Sequence, residues 1–393
     1  MNSNAICPCC GHDLFVEILK FPNNPVSGIL RTSSESPLPL DMLAFEACSV
    51  CGLLRNSHYA SPPDYLEKPR PTARQLPSYQ SYLLDQIAKL LSKDDLILEV
   101  GSNDGSFLDL LREKGYSNLF GVEPSIELVK TARLKGHRIV AEYFEPSLVE
   151  TLLANYGAPK LVICRHTLEH VPSPGLFIQA LRAVLVPENG TALLEVPDST
   201  AIIQGLNFVE LWDEHLFYFT PYTLGLLAEK SGLRVTDAMA FPHLDTRNIL
   251  VHVTSETRAE NQASMSIPSS ELELWRSFSE RFKVVSEQIK NDVRVRSAPI
   301  YMLGASHPQC NFVNYLGLEP FVDFMIDDDP DKVGMLPSII NNSVRIITSE
   351  EFSDQPQGGT LILTGFGYAN WTRQISDVAK SKGMEILDPY VFV

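Results

Sequence analysis

The chain reads as an α/β protein built around a doubly wound parallel sheet, with a smaller part on either side. Three observations predict it. An apolar run at 96–100 ends in a glycine turn, Gly101 to Gly105, which opens a helical pattern at Phe107, Leu108, Leu110 and Leu111. A second apolar run, 119–123, ends on an acid, Glu123, 22 residues after Gly101. Beyond it, strand-like and helix-like stretches keep alternating, which with right-handed crossovers gives a sheet covered on both faces.

Taken in order, the first part runs to about residue 60 and holds Cys7, Cys9, Cys10, Cys48 and Cys51. Pro and Ser crowd 22–39, which reads as loop, and a Pro-rich connector follows over 61–77. A helical pattern at 79–91 leads into the central part, expected over 61–256. Its strands are expected at 96–100, 119–123, 138–141, 160–164 and 191–196, with 233–241 and 248–253 closing the set. Its helices are expected at 106–114, 125–135, 146–155, 174–185 and 221–231. Polar residues 257–267 read as a linker and 271–293 as an amphipathic helix. Strand patterns at 300–306, 321–327, 344–347 and 360–365 then make a second α/β unit within 257–393.

Composition narrows the partners. The 393 residues suffice for two or three domains. A net charge of −16 argues against broad binding to a phosphate backbone, so no nucleic acid is expected. No apolar run approaches the ~18 residues of a membrane span. The start lacks a basic stretch followed by an apolar core, so no secretion signal is expected and the cytoplasm is the expected compartment. Seven cysteines, five of them in the first 51 residues, then suggest metal rather than disulfides.

A strand, glycine turn and helix make a ligand corner at the carboxyl end of a parallel sheet, and the acid after the second strand sits where such folds hold a ribose. A dinucleotide site wants G-x-G-x-x-G so that backbone can approach a pyrophosphate. Here the turn is G-S-N-D-G, and Asp104 inside it would repel a pyrophosphate but could accept from an ammonium. S-adenosylmethionine carries an amino-acid end and no phosphate, and is the expected cofactor. Glu99, Asp104 and Glu123 are the acids that would hold it.

Cys7-x-x-Cys10 and Cys48-x-x-Cys51 form two knuckles suited to a tetrahedral zinc ion. A hairpin would absorb the 37 residues between them, Cys9 would point away, and with four thiolates the site reads as structural. The run Cys164 to Val171 follows the fourth strand, where Arg165 and His166 should lie nearest the cofactor. His170, four residues on, shares a face with His166 if the run is helical; a metal pair or surface histidines are the alternatives. In Glu210 to Thr220, His215 has a carboxylate, Glu214, beside it and could act as a general base.

Taken in order, C-x-x-C and C-x-x-C, E-V-G-S-N-D-G-S-F-L, G-V-E-P-S, C-R-H-T-L-E-H-V, L-E-V-P-D, D-E-H-L-F-Y-F-T, G-A-S, N-F-V-N-Y-L-G-L and D-D-D-P-D-K-V-G-M-L-P run through nearly the whole chain. In this the chain resembles the zinc-containing sugar C-methyltransferases, which methylate a carbon beside the ketone of a nucleotide-linked keto-deoxysugar in antibiotic pathways. The resemblance implies a zinc-binding amino-terminal domain (1–60), a class I S-adenosylmethionine methyltransferase domain with a Rossmann-like fold (61–256) and a Rossmann-like carboxyl-terminal domain (257–393). It implies cofactor contacts at Glu99, Gly101, Asn103, Asp104, Gly105, Glu123, Pro124, Arg165 and His166. It implies a base at His215 with Glu214 beside it, a further active-site histidine at His170, and a small-molecule substrate near Tyr65, Trp212, Gly304, Ala305 and Ser306. Some positions depart from the family: Trp212 stands where a tyrosine is usual, and 244–248 and 364–368 replace a Gly-Gly-Ser turn and a Trp-Asn segment. Methylation of another small molecule at carbon, oxygen or nitrogen, and a binding protein without turnover, are the alternative readings.

Overall fold

The computed structural model describes residues 6–32, 39–58, 77–185, 187, 190–243, 246–255, 271–340, 343–364 and 369–389. The connector and linker expected from composition, and with them Tyr65, lie outside the described residues.

The amino-terminal part is a hairpin of β1 (Phe15–Pro25) and β2 (Leu40–Cys48), followed by β3 (Leu54–Asn56). The loop expected over 22–39 is therefore strand as far as Pro25, where a register shift between Phe21 and Asn24 lets the Pro-containing end still pair with β2. Helix α1 (Pro77–Leu90) leads into the central part.

There β4 (Ile97–Val100), α2 (Ser106–Glu113), β5 (Leu119–Val122), α3 (Ile126–Leu134), β6 (Ile139–Val140), α4 (Pro146–Tyr156), β7 (Leu161–Arg165), α5 (Pro174–Leu185) and β8 (Thr191–Pro197) alternate. After α6 (Ser199–Gln204) come β9 (Phe217–Tyr218), α7 (Pro221–Lys230), β10 (Arg234–His243) and β11 (Thr246–Thr254). The seven-stranded sheet has the order β10-β11-β8-β7-β4-β5-β6, with β11 alone running against the rest. Strands β4 and β7 are buried along their whole length, which suits a parallel sheet covered on both faces. Strand order reverses between β4 and β7, so the crevice for a ligand opens above their carboxyl ends.

The two-residue strand β9 is absent from that sheet. It pairs with β3 (Leu54 opposite Tyr218, Arg55 opposite Phe217) and so becomes the fourth strand of the amino-terminal sheet. The carboxyl-terminal part starts with α8 (Glu271–Arg294), whose Trp275, Phe278, Phe282, Val285, Ile289 and Val293 recur at helical spacing and are buried. Then come β12 (Ile300–Leu303), α9 (His307–Leu316), β13 (Phe324–Ile326), β14 (Arg345–Ile347), α10 (Ser349–Asp354), β15 (Thr360–Ile362), α11 (Ala369–Ser381) and β16 (Glu385–Leu387). They form a parallel sheet of order β14-β13-β12-β15-β16. Its strands are shorter than the sequence pattern suggests, because Gly304, at a positive φ of 91°, ends β12 and turns the chain into α9.

One core joins the first and last parts. Phe45 of β2, Phe208, Trp275 and Phe278 of α8, and Phe312 of α9 are at most 1% exposed and belong to a single cluster. Side chains of this size contribute roughly 1.5–3 kcal/mol each on burial.

Candidate active site

Turns at the ends of β4 and β7 make the floor of the crevice. Gly101 and Gly105 take positive φ of 72° and 78°, and Asn103 between them is left-handed too, at 51°. A Cβ on Gly101 would stand 2.1 Å from Thr167 Oγ1, so only glycine lets the two turns meet. His166, after β7, is again a left-handed non-glycine residue, at φ 46°. Such backbone strain gathers at functional sites.

The acids of the first turn divide their work in a way the sequence did not reveal. Asp104 points outward: its carboxylate accepts from Ser106 N and Oγ at 3.1 and 2.6 Å and from Lys135 Nζ at 3.0 Å. Burial disfavours its charge, but those bonds outweigh it and hold its pKa below the usual carboxylate range. It thus braces the start of α2 and ties it to the end of α3. Glu99 is the more buried of the other two acids, 4% exposed, and among the described residues its Oε2 has no hydrogen-bond partner. Burial, partly offset by Arg165 and reinforced by Glu123 and Asp104, pushes its pKa up to about 8. Glu123 accepts from the backbone N–H of Asn103 at 3.0 Å and of Ser125 at 2.9 Å, so it ties the end of β5 to the glycine turn. Burial raises its pKa, with those two N–H groups opposing. Pro124, between Glu123 and Ser125, is half-buried.

Arg165 and His166 are bound to the sheet rather than aimed into open space. Arg165 Nε donates to Glu195 Oε2 at 2.7 Å, and its guanidinium lies 4.5 Å from the Phe107 ring centroid of α2. His166 Nε2 stands 3.0 Å from Glu195 Oε1 and its Nδ1 3.5 Å from Glu169 Oε1. Burial opposes the imidazolium, but the carboxylates of Glu195 and Glu169 outweigh it and push the pKa up to about 10, so His166 is a cation at neutral pH. Glu195 also accepts from Asn248 Nδ2 at 2.6 Å. Nothing in the sequence spacing singled out Glu195, because it faces the site from the middle of an otherwise apolar strand.

His170 does not share a face with His166. The backbone twist at His166 and a 3₁₀ turn over 168–170 send the two rings apart, His166 to the sheet and His170 toward His215. The His170 and His215 ring centroids are 4.8 Å apart at 74°. His170 Nδ1 donates to the Glu214 backbone carbonyl at 2.8 Å, which fixes its tautomer with the proton on Nδ1. His215 packs against three rings: His170, Trp212 at 5.0 Å and Tyr218 at 5.8 Å. Burial, then the cationic tendency of His170, His307 and His166, holds its pKa well below the usual histidine value, so its imidazole is neutral. Glu214 thus meets the pair through its backbone carbonyl, which accepts from His170.

All three parts of the molecule hold this segment. Asp213 Oδ2 accepts from the backbone N–H of Ser27 at 2.8 Å, and Asn56 N donates to Leu216 O at 3.0 Å, both from the amino-terminal sheet side. Leu216 N donates to Glu169 O at 2.8 Å, from the loop after β7. On the third side Asn311 Nδ2 donates to Val209 O at 3.1 Å, Tyr315 donates to the Leu211 carbonyl, and His307 stacks on Trp212 at 4.1 Å and 18°. Tyr218 OH accepts from the backbone N–H of Trp212 at 2.8 Å, which holds the main chain there in place.

His307 opens α9 directly after the turn Gly304, Ala305, Ser306. Ala305 N donates to Asp327 Oδ2 at 3.1 Å, and Lys332 Nζ donates to both Asp327 at 2.9 Å and Ser306 Oγ at 3.1 Å. Gln309 Nε2 reaches Thr364 Oγ1 at 3.1 Å across the point where strand order reverses in this second sheet. The turn and the imidazole pair are thus joined through one stacked ring.

The cysteines converge at the far end of the amino-terminal sheet. One sulfur from each of Cys7, Cys10, Cys48 and Cys51 lies within 4.8 Å of the others, with Cys7–Cys51 at 3.5 Å and Cys10–Cys48 at 3.4 Å. Sulfurs about 2.3 Å from a tetrahedral zinc stand about 3.8 Å apart, so this donor set fits the ion. Cys9, which is not in that set of four, donates to the Thr223 carbonyl at 3.3 Å, which docks the knuckle on α7.

Comparison with known proteins agrees with the central sheet. A C-methyltransferase NovU from Streptomyces niveus is 29% identical over 241 residues, 59% of this chain and 56% of that protein. A ubiquinone biosynthesis O-methyltransferase from Xylella fastidiosa (strain M23) is 33% identical over 108 residues, 26% of this chain and 43% of that protein. The chain therefore spans about half the length of these relatives. A solved SAM dependent methyltransferase from Archaeoglobus fulgidus aligns with a TM-score of 0.39 at 16% identity, covering 45% of this chain and 93% of that one. Residues 73–238 match the family model described as a methyltransferase domain, and the crevice above β4 and β7 belongs to that domain.

Proposed function

We propose that the chain is an S-adenosylmethionine-dependent C-methyltransferase that acts on a carbon beside the ketone of a nucleotide-linked keto-deoxysugar. The observation that carries the reading is the neutral, buried His215 paired with His170 between the methyltransferase crevice and the Gly304 turn. The 29% identity to a C-methyltransferase points the same way. The three parts are read as 1–60, 61–256 and 257–393, and a structural zinc ion would be held by Cys7, Cys10, Cys48 and Cys51.

S-adenosylmethionine, when bound, supplies an electrophilic methyl group. The chain's residues do the rest. Glu99 presents a buried carboxylate to the amino-acid end, and Glu123 offers its remaining lone pairs to the ribose hydroxyls. His215 takes the proton from the substrate carbon; burial keeps it neutral and so ready to accept. His170, with its proton fixed on Nδ1, presents Nε2 to the substrate, and it donates there to the enolate oxygen when protonated. Trp212 and His307 wall the site, and the turn from Gly304 to Ser306 holds the nucleotide. Methylation of another small metabolite is the second reading, favoured by the match to an O-methyltransferase over 108 residues. Radiolabelled cofactor offered with nucleotide keto-sugars, keto acids, phenols and RNA separates them. Label entering the keto-sugars supports the proposal, and label entering only phenols or RNA contradicts it.

Two results are expected at the cofactor. Glu123→Ala should weaken cofactor binding by roughly 1–3 kcal/mol, the scale of lost charge-assisted bonds. Unchanged affinity in calorimetry would remove Glu123 from the ribose. Glu99, with its pKa pushed up to about 8, holds a proton in the empty site at neutral pH. A cationic ligand favours the ionised form, so binding expels that proton. Affinity should then rise as pH approaches about 8 and level off above it. Calorimetry in buffers of different ionisation enthalpy should show proton release at pH ~7, smaller in Glu99→Gln; equal release in both proteins would contradict the assignment.

A further inference from the structure

The loop after β7 carries a buried acid to which the mechanism above gives no task. Glu169 is 1% exposed, and among the described residues its carboxylate makes no close hydrogen bond. A buried carboxylate is costly unless charge or hydrogen bonds compensate it. On one side it has the His166 cation, whose Nδ1 lies 3.5 Å away. On the other, a carboxylate oxygen lies within 4.8 Å of a ring nitrogen of both His170 and His215. The backbone of the same residue is bonded to the segment that carries His215, since Leu216 N donates to Glu169 O at 2.8 Å.

We propose that Glu169 is a positioning residue: its carboxylate faces the His170–His215 pair and supports the positive charge that His215 gains when it takes the substrate proton. The inference rests on the reading of His215 as the base. The surroundings create the need for it. His170 and His166 from the loop after β7 and His307 from α9 all tend toward positive charge near His215, while Tyr218 from β9 and Trp212 offer only rings. Asp213, two residues away, is engaged with the Ser27 backbone. An imidazolium formed here without a facing anion would be opposed by burial and by three imidazoles. Glu169 answers both, and because His166 neutralises it at rest, it does so without holding His215 protonated beforehand.

Replacing the charge and keeping the shape tests this. In Glu169→Gln the His215 imidazole, followed by nitrogen NMR, should titrate at lower pH than in the wild type. The acid limb of kcat/KM should move down with it, and plateau turnover should fall by about tenfold or more. Affinity for S-adenosylmethionine should stay within about twofold, and Glu169→Asp should recover part of the loss. A second reading uses the wild-type protein and needs no variant to fold: the Glu169 carboxyl carbon signal should shift with the same midpoint as the His215 ring. A Glu169 signal indifferent to that midpoint, or a folded Glu169→Gln with wild-type turnover and pH profile, would overturn the proposal. So would a second metal ion per chain that Glu169→Gln loses. If His215→Ala itself keeps full activity, the base assignment fails; if it is inactive while Glu169→Gln is normal, only the present inference fails.

Discussion

His215→Ala is expected to lower turnover by roughly 100-fold or more, the scale of a lost general base, while cofactor affinity stays near that of the wild type. The ring lies among His170, Trp212 and Tyr218, none of them a residue expected to hold the cofactor. Its loss should therefore affect chemistry and not binding. Since burial and neighbouring imidazoles keep it neutral, activity should persist well below the pH at which an ordinary histidine would protonate. Deuterium from solvent should enter the substrate carbon in the wild type without cofactor and should not in the variant. Full activity in His215→Ala would remove the residue from the mechanism, and circular dichroism must show a folded variant for the comparison to count.

Cys48→Ser is expected to have the second large effect, on stability and on the site together. Metal analysis should return one zinc per wild-type chain and much less in the variant. Structural zinc sites supply about 10–16 kcal/mol of folding free energy in small zinc peptides, far more than a part of about 60 residues gains from its own core. The damage should travel. The knuckle leads straight into β3, β3 pairs with β9, and β9 begins two residues after His215. Hydrogen exchange should therefore speed up at Leu54, Phe217 and Tyr218 as well as around the cysteines. Zinc well below one per freshly purified wild-type chain would contradict the metal assignment. Exchange confined to the knuckle would contradict the coupling.

The central sheet was legible because its signals are local. Each buried run such as 161–164 stands out as apolar, and the glycines after β4 mark the turn where positive φ is required. Convergence of the four cysteines was legible from their spacing. What local signals could not carry was long-range pairing. Strand β9 has two residues, too few for a periodic pattern, and forms only because β3 is there to pair with it. The division between Asp104 and Glu99 depends on Lys135, 31 residues beyond Asp104, which draws Asp104 outward. The parting of His166 and His170 follows from a left-handed residue that is not glycine, a conformation no residue type announces. Helix α8 showed its apolar stripe in the sequence, but not that the stripe would join the cores of the first and last parts.

The central claim is transfer of a methyl group to carbon, and carbon NMR of the product tests it most directly. The wild-type protein, cofactor labelled with carbon-13 in its methyl group and a nucleotide-linked keto-deoxysugar are incubated together, and the position of the labelled methyl is read from its couplings. The account predicts a methyl bonded to the ring carbon beside the carbonyl, with coupling to that carbon. A labelled methyl bonded to oxygen or nitrogen, or label that never leaves the cofactor with any keto-sugar offered, would contradict it.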